Sequence, residues 1–208
     1  MSKRRLTHVQ QLQKMQKEAT PDSPLSRELE AVRIALEKPK SQAISELIKL
    51  LKSSKQRETQ WLIARVLSTA KDERVISPLL KAALAPENTT HRSNFLWPLE
   101  NYDCSKYAGQ LVKLLLSRPD YDEVVWACVE IIRVMKGPIE PSIARRLVRQ
   151  LLAEVNAELT PDDLTALHAF RLEAADKIMA LYFNHTLCTF WKKWNNGEWP
   201  TSEASNPA

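Results

Sequence analysis

Glycine is nearly missing from this chain, with three in 208 residues. That scarcity disfavours glycine-rich phosphate loops and tight-turned β architecture. Cysteine is equally sparse: Cys104, Cys128 and Cys188 are odd in number and widely scattered. Neither a disulfide framework nor a zinc knuckle fits that spacing, and a reducing cytoplasm is the simplest expectation. Long apolar runs are missing too. Runs such as Leu114–Leu116 fall far short of the roughly 20 residues that span a bilayer, and no apolar stretch after the basic start suggests a signal peptide. Histidine offers little: His8, His91, His168 and His185 lie in different elements. No metal-ligand spacing and no nucleophile elbow appears, so neither a cofactor nor a catalytic residue is expected. His168, in an apolar helical segment, is expected at the core or its rim.

Charge of one sign is present but localised. The net charge is +5, yet residues 1–19 hold Lys3, Arg4, Arg5, Lys14 and Lys17 against Glu18 alone. Four of the five net charges therefore belong to this arm, and all the rest of the chain carries one. A groove that follows a phosphate backbone needs a clustered basic face on the folded body. Arg145, Arg146 and Arg149 form a local patch on one helix, too small to argue for DNA.

What is present is a repeat. Ile44–Leu51 (ISELIKLL) recurs as Ile76–Ala83 (ISPLLKAA) and Ala108–Leu115 (AGQLVKLL). Leu47, Leu79 and Leu111 therefore stand at two equal steps, each of about 32 residues, the length of a helical-hairpin repeat. The next step, from Leu111 to Leu147, is longer by about one helical turn. A period of this size predicts stacked helical hairpins, each too small to bury its apolar face alone. Helices are predicted over Ser26–Glu37, Ser41–Ser53, Arg57–Ala70, Glu73–Leu84, Thr89–Tyr102, Lys106–Leu116, Tyr121–Met135, Ile139–Glu158 and Asp162–Phe183. Lys71-Asp72 makes a short link, Pro98 should kink its helix, and Gly137-Pro138 should end another. No segment alternates with period two, so a β domain is not expected.

Asp72–Leu84 (DERVISPLLKAAL) resembles the first helix of a HEAT repeat, Pro78 included. The resemblance spans about residues 40–158 and is closest to the short bacterial HEAT-like class. It implies an all-α, right-handed α-solenoid of about four hairpins over residues 25–183. A basic, flexible N-terminal arm is expected over 1–24, an aromatic capping helix over 184–200 and a disordered tail over 201–208. The paired His-Glu motifs of HEAT-repeat iron hydroxylases are missing from this sequence.

In such arrays the second helix of each hairpin usually lines the concave, partner-binding surface. At about 100° per residue, Trp126 falls opposite the stripe of Val124, Cys128, Ile131 and Met135. Trp97 likewise falls opposite Phe95 and Leu99, and Trp61 opposite Leu62 and Val66. Two readings of these tryptophans remain open: inter-repeat core, or an aromatic binding strip flanked by charged residues. The second makes Trp61, Arg65, Arg92, Trp97, Trp126, Glu130 and Arg133 the partner-binding residues of a non-enzymatic scaffold, with a neutralising or adaptor role. The alternative is a nucleic-acid-acting protein, similar to the HEAT-like alkylpurine DNA glycosylases, with Trp97, Trp126 and Asp122 as candidates. The near-neutral body disfavours it.

Overall fold

The computed structural model describes residues 8–20, 23–36, 38, 40–117, 122–153 and 161–195. These form helices α1 (His8–Glu18), α2 (Pro24–Leu36), α3 (Lys40–Ser53), α4 (Arg57–Leu67), α5 (Ile76–Leu84), α6 (Ser93–Leu96), α7 (Ala108–Leu116), α8 (Glu123–Arg133), α9 (Pro141–Leu151) and α10 (Pro161–Asn195), with short 3-10 turns between them. No strand occurs among the described residues, so the fold is all-α. None of the described helices is long and apolar enough to cross a membrane. The chain divides into two compact units, Met1–Cys104 with Asp122–Met135, and Ser105–Tyr121 with Lys136–Ala208.

In the first unit, α3 packs on α2, α4 and α5, and α6 packs on α4, α5 and α8. Each helix buries a stripe: Ile44, Leu47 and Leu51 on α3, Leu62, Ile63 and Leu67 on α4, Leu79, Leu80 and Ala83 on α5. Phe95, Leu96 and Leu99 fill the centre, and Val125, Cys128, Ile131 and Ile132 close it from α8. The repeating register is therefore a register of buried leucines, since Leu47, Leu79 and Leu111 are all within the core.

The irregular stretch lies between α5 and Tyr102. The single kinked helix predicted over Thr89–Tyr102 is instead a 3-10 turn (Pro86–His91), the single turn of α6 and a second 3-10 turn (Trp97–Asn101). Pro98 has no N–H to continue the α ladder, so the helix tightens there. Asn88 Nδ2 donates to Ala82 O at 2.9 Å, tying the first turn to the end of α5. The buried Tyr102 hydroxyl donates to Leu67 O at the end of α4. Lys71, at φ 53°, takes the left-handed conformation that reverses the chain after α4.

Several boundaries differ from the sequence expectation. Part of the basic arm is a packed helix: α1 lies on α2 and α4, Leu12 is buried, and Gln16 Nε2 donates to Glu30 Oε2 at 3.3 Å. Its short apolar spacing suffices once a neighbouring surface covers it. Helix α8 stops at Arg133, a full turn before Gly137. Helices α7 and α8 fall in different compact units, α8 in the first and α7 in the second. Helix α10 passes through residues 183 and 184 without a break, so no separate capping helix begins there; Phe183 and Leu187 are exposed. His168 is exposed rather than in the core or at its rim. Residues 1–7 and 196–208, including the expected tail and the end of the expected cap, lie outside the described residues, as does Thr160.

In the second unit, α9 packs on α7 and α10. Glu140 caps α9 by accepting from the backbone N–H of Ser142 and Ile143, and the Ser142 hydroxyl and these amides hold its carboxyl below the usual carboxylate range. Arg171 is buried on α10 and donates to Gln150 O and Ala153 O at 3.3 Å each. A cation on the last carbonyls of α9 suits the negative end of that helix. Arg145, Arg146 and Arg149 are all exposed, on the face away from Ala144, Leu147 and Leu151.

One buried group in α4 gives a sharp stability test. Thr59 is 0% exposed, and among the described residues its hydroxyl has no hydrogen-bond partner. An unpaired buried hydroxyl costs about 1–3 kcal/mol, and an apolar group of the same shape removes that cost. Thr59→Val keeps the β-branched shape and is expected to stabilise the first unit by about 1 kcal/mol, read as a higher urea midpoint at unchanged m-value. A lower midpoint would mean that the hydroxyl is satisfied.

Candidate functional site

The side chains of interest lie on α4, on the irregular stretch around α6 and on α8, all within the first unit. Arg57, Trp61 and Arg65 follow one another at intervals of four along α4 and so share a face. Trp61 is half-buried and Arg65 exposed. The Trp61 ring meets His91 edge-on, with centroids 5.3 Å apart at 66°. Arg57 Nη1 lies 3.2 Å from His91 Nε2; because arginine can only donate, that ring nitrogen accepts. Trp61 Nε1 and the Nε of the half-buried Arg92 are enclosed without a partner.

The second cluster centres on α8. Asp122 caps this helix, its Oδ1 accepting from the backbone N–H of Val124 and Val125 at 3.0 Å each. That cap fixes the first turn, in which Glu123 faces Ser93 and Trp97. The Ser93 hydroxyl donates to Glu123 Oε2 at 2.8 Å, and Trp97 Nε1 donates to Glu123 Oε1 at 3.1 Å. Trp97 is half-buried and meets Trp126 edge-to-face, at 5.5 Å between centroids and 85°. Trp126 is 47% exposed. Its Nε1 donates to Glu130 Oε1 at 3.1 Å, and Arg133 Nη1 closes on both oxygens of Glu130 at 2.7 and 2.8 Å.

Four of the residues singled out by sequence, Trp97, Trp126, Glu130 and Arg133, thus form one connected chain of contacts. Trp61 stands in the other cluster with His91, and Arg92 follows His91 in the chain. Arg65 is exposed one turn beyond Trp61. The structure adds Glu123 as the anchor of Trp97, with Ser93 on the same carboxylate, and His91 as the partner of Trp61, with Arg57 on the same imidazole. Their signal lay in the spacing. Ser93 and Glu123 are 30 positions apart, and Trp61–His91 and Trp97–Trp126 have nearly the same separation. Each is close to the spacing of Leu47, Leu79 and Leu111 in the sequence. The open choice between core and surface for the tryptophans resolves by degree: Trp61 and Trp97 are half-buried and Trp126 is exposed.

The two clusters differ in chemistry. Trp61 meets a histidine that an arginine, Arg57, also touches. Around Trp126 lie two carboxylates, one of them offset by Arg133. Among the described residues, Glu123 meets only the neutral donors of Ser93 and Trp97. Asp122 spends an oxygen on the helix cap, which suits a structural role. No group of three or more His, Cys, Asp or Glu side chains among the described residues could hold a metal ion. Compared with known proteins, the chain matches no family model, no curated protein and no solved structure.

Proposed function

We propose that this chain is a HEAT-like solenoid acting as a non-enzymatic protein-binding scaffold in the cytoplasm, in a neutralising or adaptor role. The partner sits on the side formed by α4, α6 with its following turn, and α8. The solenoid reading draws on packing of first helix on first helix (α3 on α5) and second on second (α4 on α6, α6 on α8). One observation carries the binding reading: Trp126 is 47% exposed yet held in place by the Trp97 ring and the Glu130 carboxylate. Burying an indole that is already ordered costs little conformational entropy, which is the property of an interface anchor. Tryptophan and arginine are the residues most enriched in such anchors, and here both stand on one rigid helix.

A photo-crosslinking amino acid at position 94, exposed on α6 three residues before Trp97, in the full-length protein in its native cells, is expected to give a protein adduct that Trp97→Ala or Trp126→Ala abolishes while helical content is kept. A crosslinker at Leu172, exposed in the second unit, serves as the comparison. Adducts only to nucleic acid, or the same adducts at both positions, would overturn the reading.

A further inference from the structure

We propose that the Trp97–Trp126 pair with Glu123 is a receptor for an arginine side chain carried by the partner protein. This rests on the reading of the face as protein-binding, and specifies what the partner must present.

Two carboxylates of α8 flank Trp126, Glu123 three residues before it and Glu130 four residues after, so all three share one face. Each carboxylate accepts an indole N–H: Glu130 from Trp126, Glu123 from Trp97. Glu130 is then completed by the guanidinium of Arg133, which touches both oxygens. Glu123 has the same indole and, in place of an arginine, only the Ser93 hydroxyl. One half of the site holds its cation; the other stands ready for one supplied from outside.

The rings point the same way. An indole whose N–H donates to an anion becomes richer in π electrons, which strengthens attraction of a cation over its face. Edge-to-face contact with Trp97 turns one indole perpendicular to the other, and Trp126 keeps nearly half of its surface open. Cation–π attraction reaches about 6 Å from a ring centroid, and side chains three apart on a helix have Cβ atoms about 5–6 Å apart. A group stacked on Trp126 therefore also reaches Glu123. A planar guanidinium satisfies both demands, stacking on a ring and forking to a carboxylate. An ammonium can meet only one well.

The test uses the full-length protein with ¹⁵N-labelled tryptophan, titrated with acetyl-triarginine amide and read by the indole N–H signals. Saturable shifts are expected at Trp97 and Trp126, assigned by Trp97→Phe and Trp126→Phe. Acetyl-trilysine amide is expected to bind more weakly and acetyl-triglycine amide not at all. Glu123→Gln retains an acceptor for the Trp97 indole and loses the charge, so it is expected to weaken triarginine binding about tenfold. Glu46→Gln, on α3 and outside the site, should leave it unchanged. Equal loss for the two variants, no loss for Glu123→Gln, or equal shifts with the glycine peptide would each overturn the proposal. So would indole shifts on concentrating the free protein that Lys3, Arg4 and Arg5→Ala abolish, because the arginine would then come from a second copy. Failure of the parent reading is separable. If the crosslink at position 94 still yields a protein, yet neither Glu123→Gln nor added triarginine diminishes it, the face binds protein and the arginine receptor is wrong.

Discussion

Replacing Phe95 by alanine is expected to destabilise the first unit by about 3–5 kcal/mol, lowering its thermal midpoint by roughly 10–20 °C at this size. Phe95 is the largest fully buried side chain. It sits on α6, which is a single turn long and so has almost no helical stability of its own. What fixes α6 is the contact it makes with α4, α5 and α8, and the Phe95 ring occupies the middle of that contact. Loss of the ring leaves a cavity that short 3-10 segments on both sides can only partly fill. The consequence reaches the candidate site, because the same stretch carries His91, Ser93 and Trp97. Phe95→Ala is therefore expected to diminish the near-ultraviolet circular dichroism of the Trp97–Trp126 pair even below its melting point. Trp126→Ala makes the opposite contrast: the side chain is half exposed, and its removal should shift the midpoint by only a degree or two. A Phe95→Ala midpoint within about 3 °C of the parent protein would refute the packing argument.

That contrast explains why the sequence revealed some of this molecule and hid the rest. The even spacing of Leu47, Leu79 and Leu111 was readable because a buried stripe has a fixed helical period, and all three are buried. The same geometry set Trp126 opposite its helix's core stripe, but it could not decide between a second buried face and solvent; Trp126 is 47% exposed. Phe95 and Leu99 were visible as core candidates, but not that Leu96 joins them or that Phe95 and Leu96 stand on a single turn of α-helix. Pro86 and Pro98 break the ladder at both ends of that segment, and local rules cannot say how far tertiary packing will hold the residues between. Likewise Leu12 reads as part of a weak amphipathic segment until α2 and α4 provide its cover. The continuity of α10 was obscured by the aromatic cluster around Phe183, which suggested a change of element where no glycine or proline enforces one.

The site follows the same division. Sequence periodicity placed Trp97, Trp126, Glu130 and Arg133 off the core stripe. It could not pair them, because the pairing depends on how α6 and the turn Trp97–Asn101 pack against α8. A regular helix over Thr89–Tyr102 would wind through about four turns; the chain instead runs through two 3-10 turns and the single turn of α6, and from these Ser93 and Trp97 meet Glu123.

Thiol chemistry offers the second large effect. Cys104 and Cys128 are both buried and free. Burial pushes the Cys104 thiol up to about 12, with Asp103 adding to it, and burial raises Cys128 further, with Asp122 contributing. The thiolate is the reacting species. Against an ordinary value of 9.0, that rise reduces the thiolate fraction of Cys104 at pH 8 about a thousandfold, before any steric protection is counted. Both cysteines are therefore expected to resist a maleimide in the native protein at pH 8 and to label within seconds in 6 M guanidinium chloride, with peptide mapping reading each site separately. The two belong to one compact unit, so residual labelling should proceed through the same opening and give similar rates at both sites. Phe95→Ala should then raise both rates together, by about 10²–10⁴-fold for a loss of about 3–5 kcal/mol. If Cys104 labels far faster than Cys128, the connection after the Trp97–Asn101 turn opens alone. Coupling between that turn and α8, on which the position of Trp97 depends, would then be refuted.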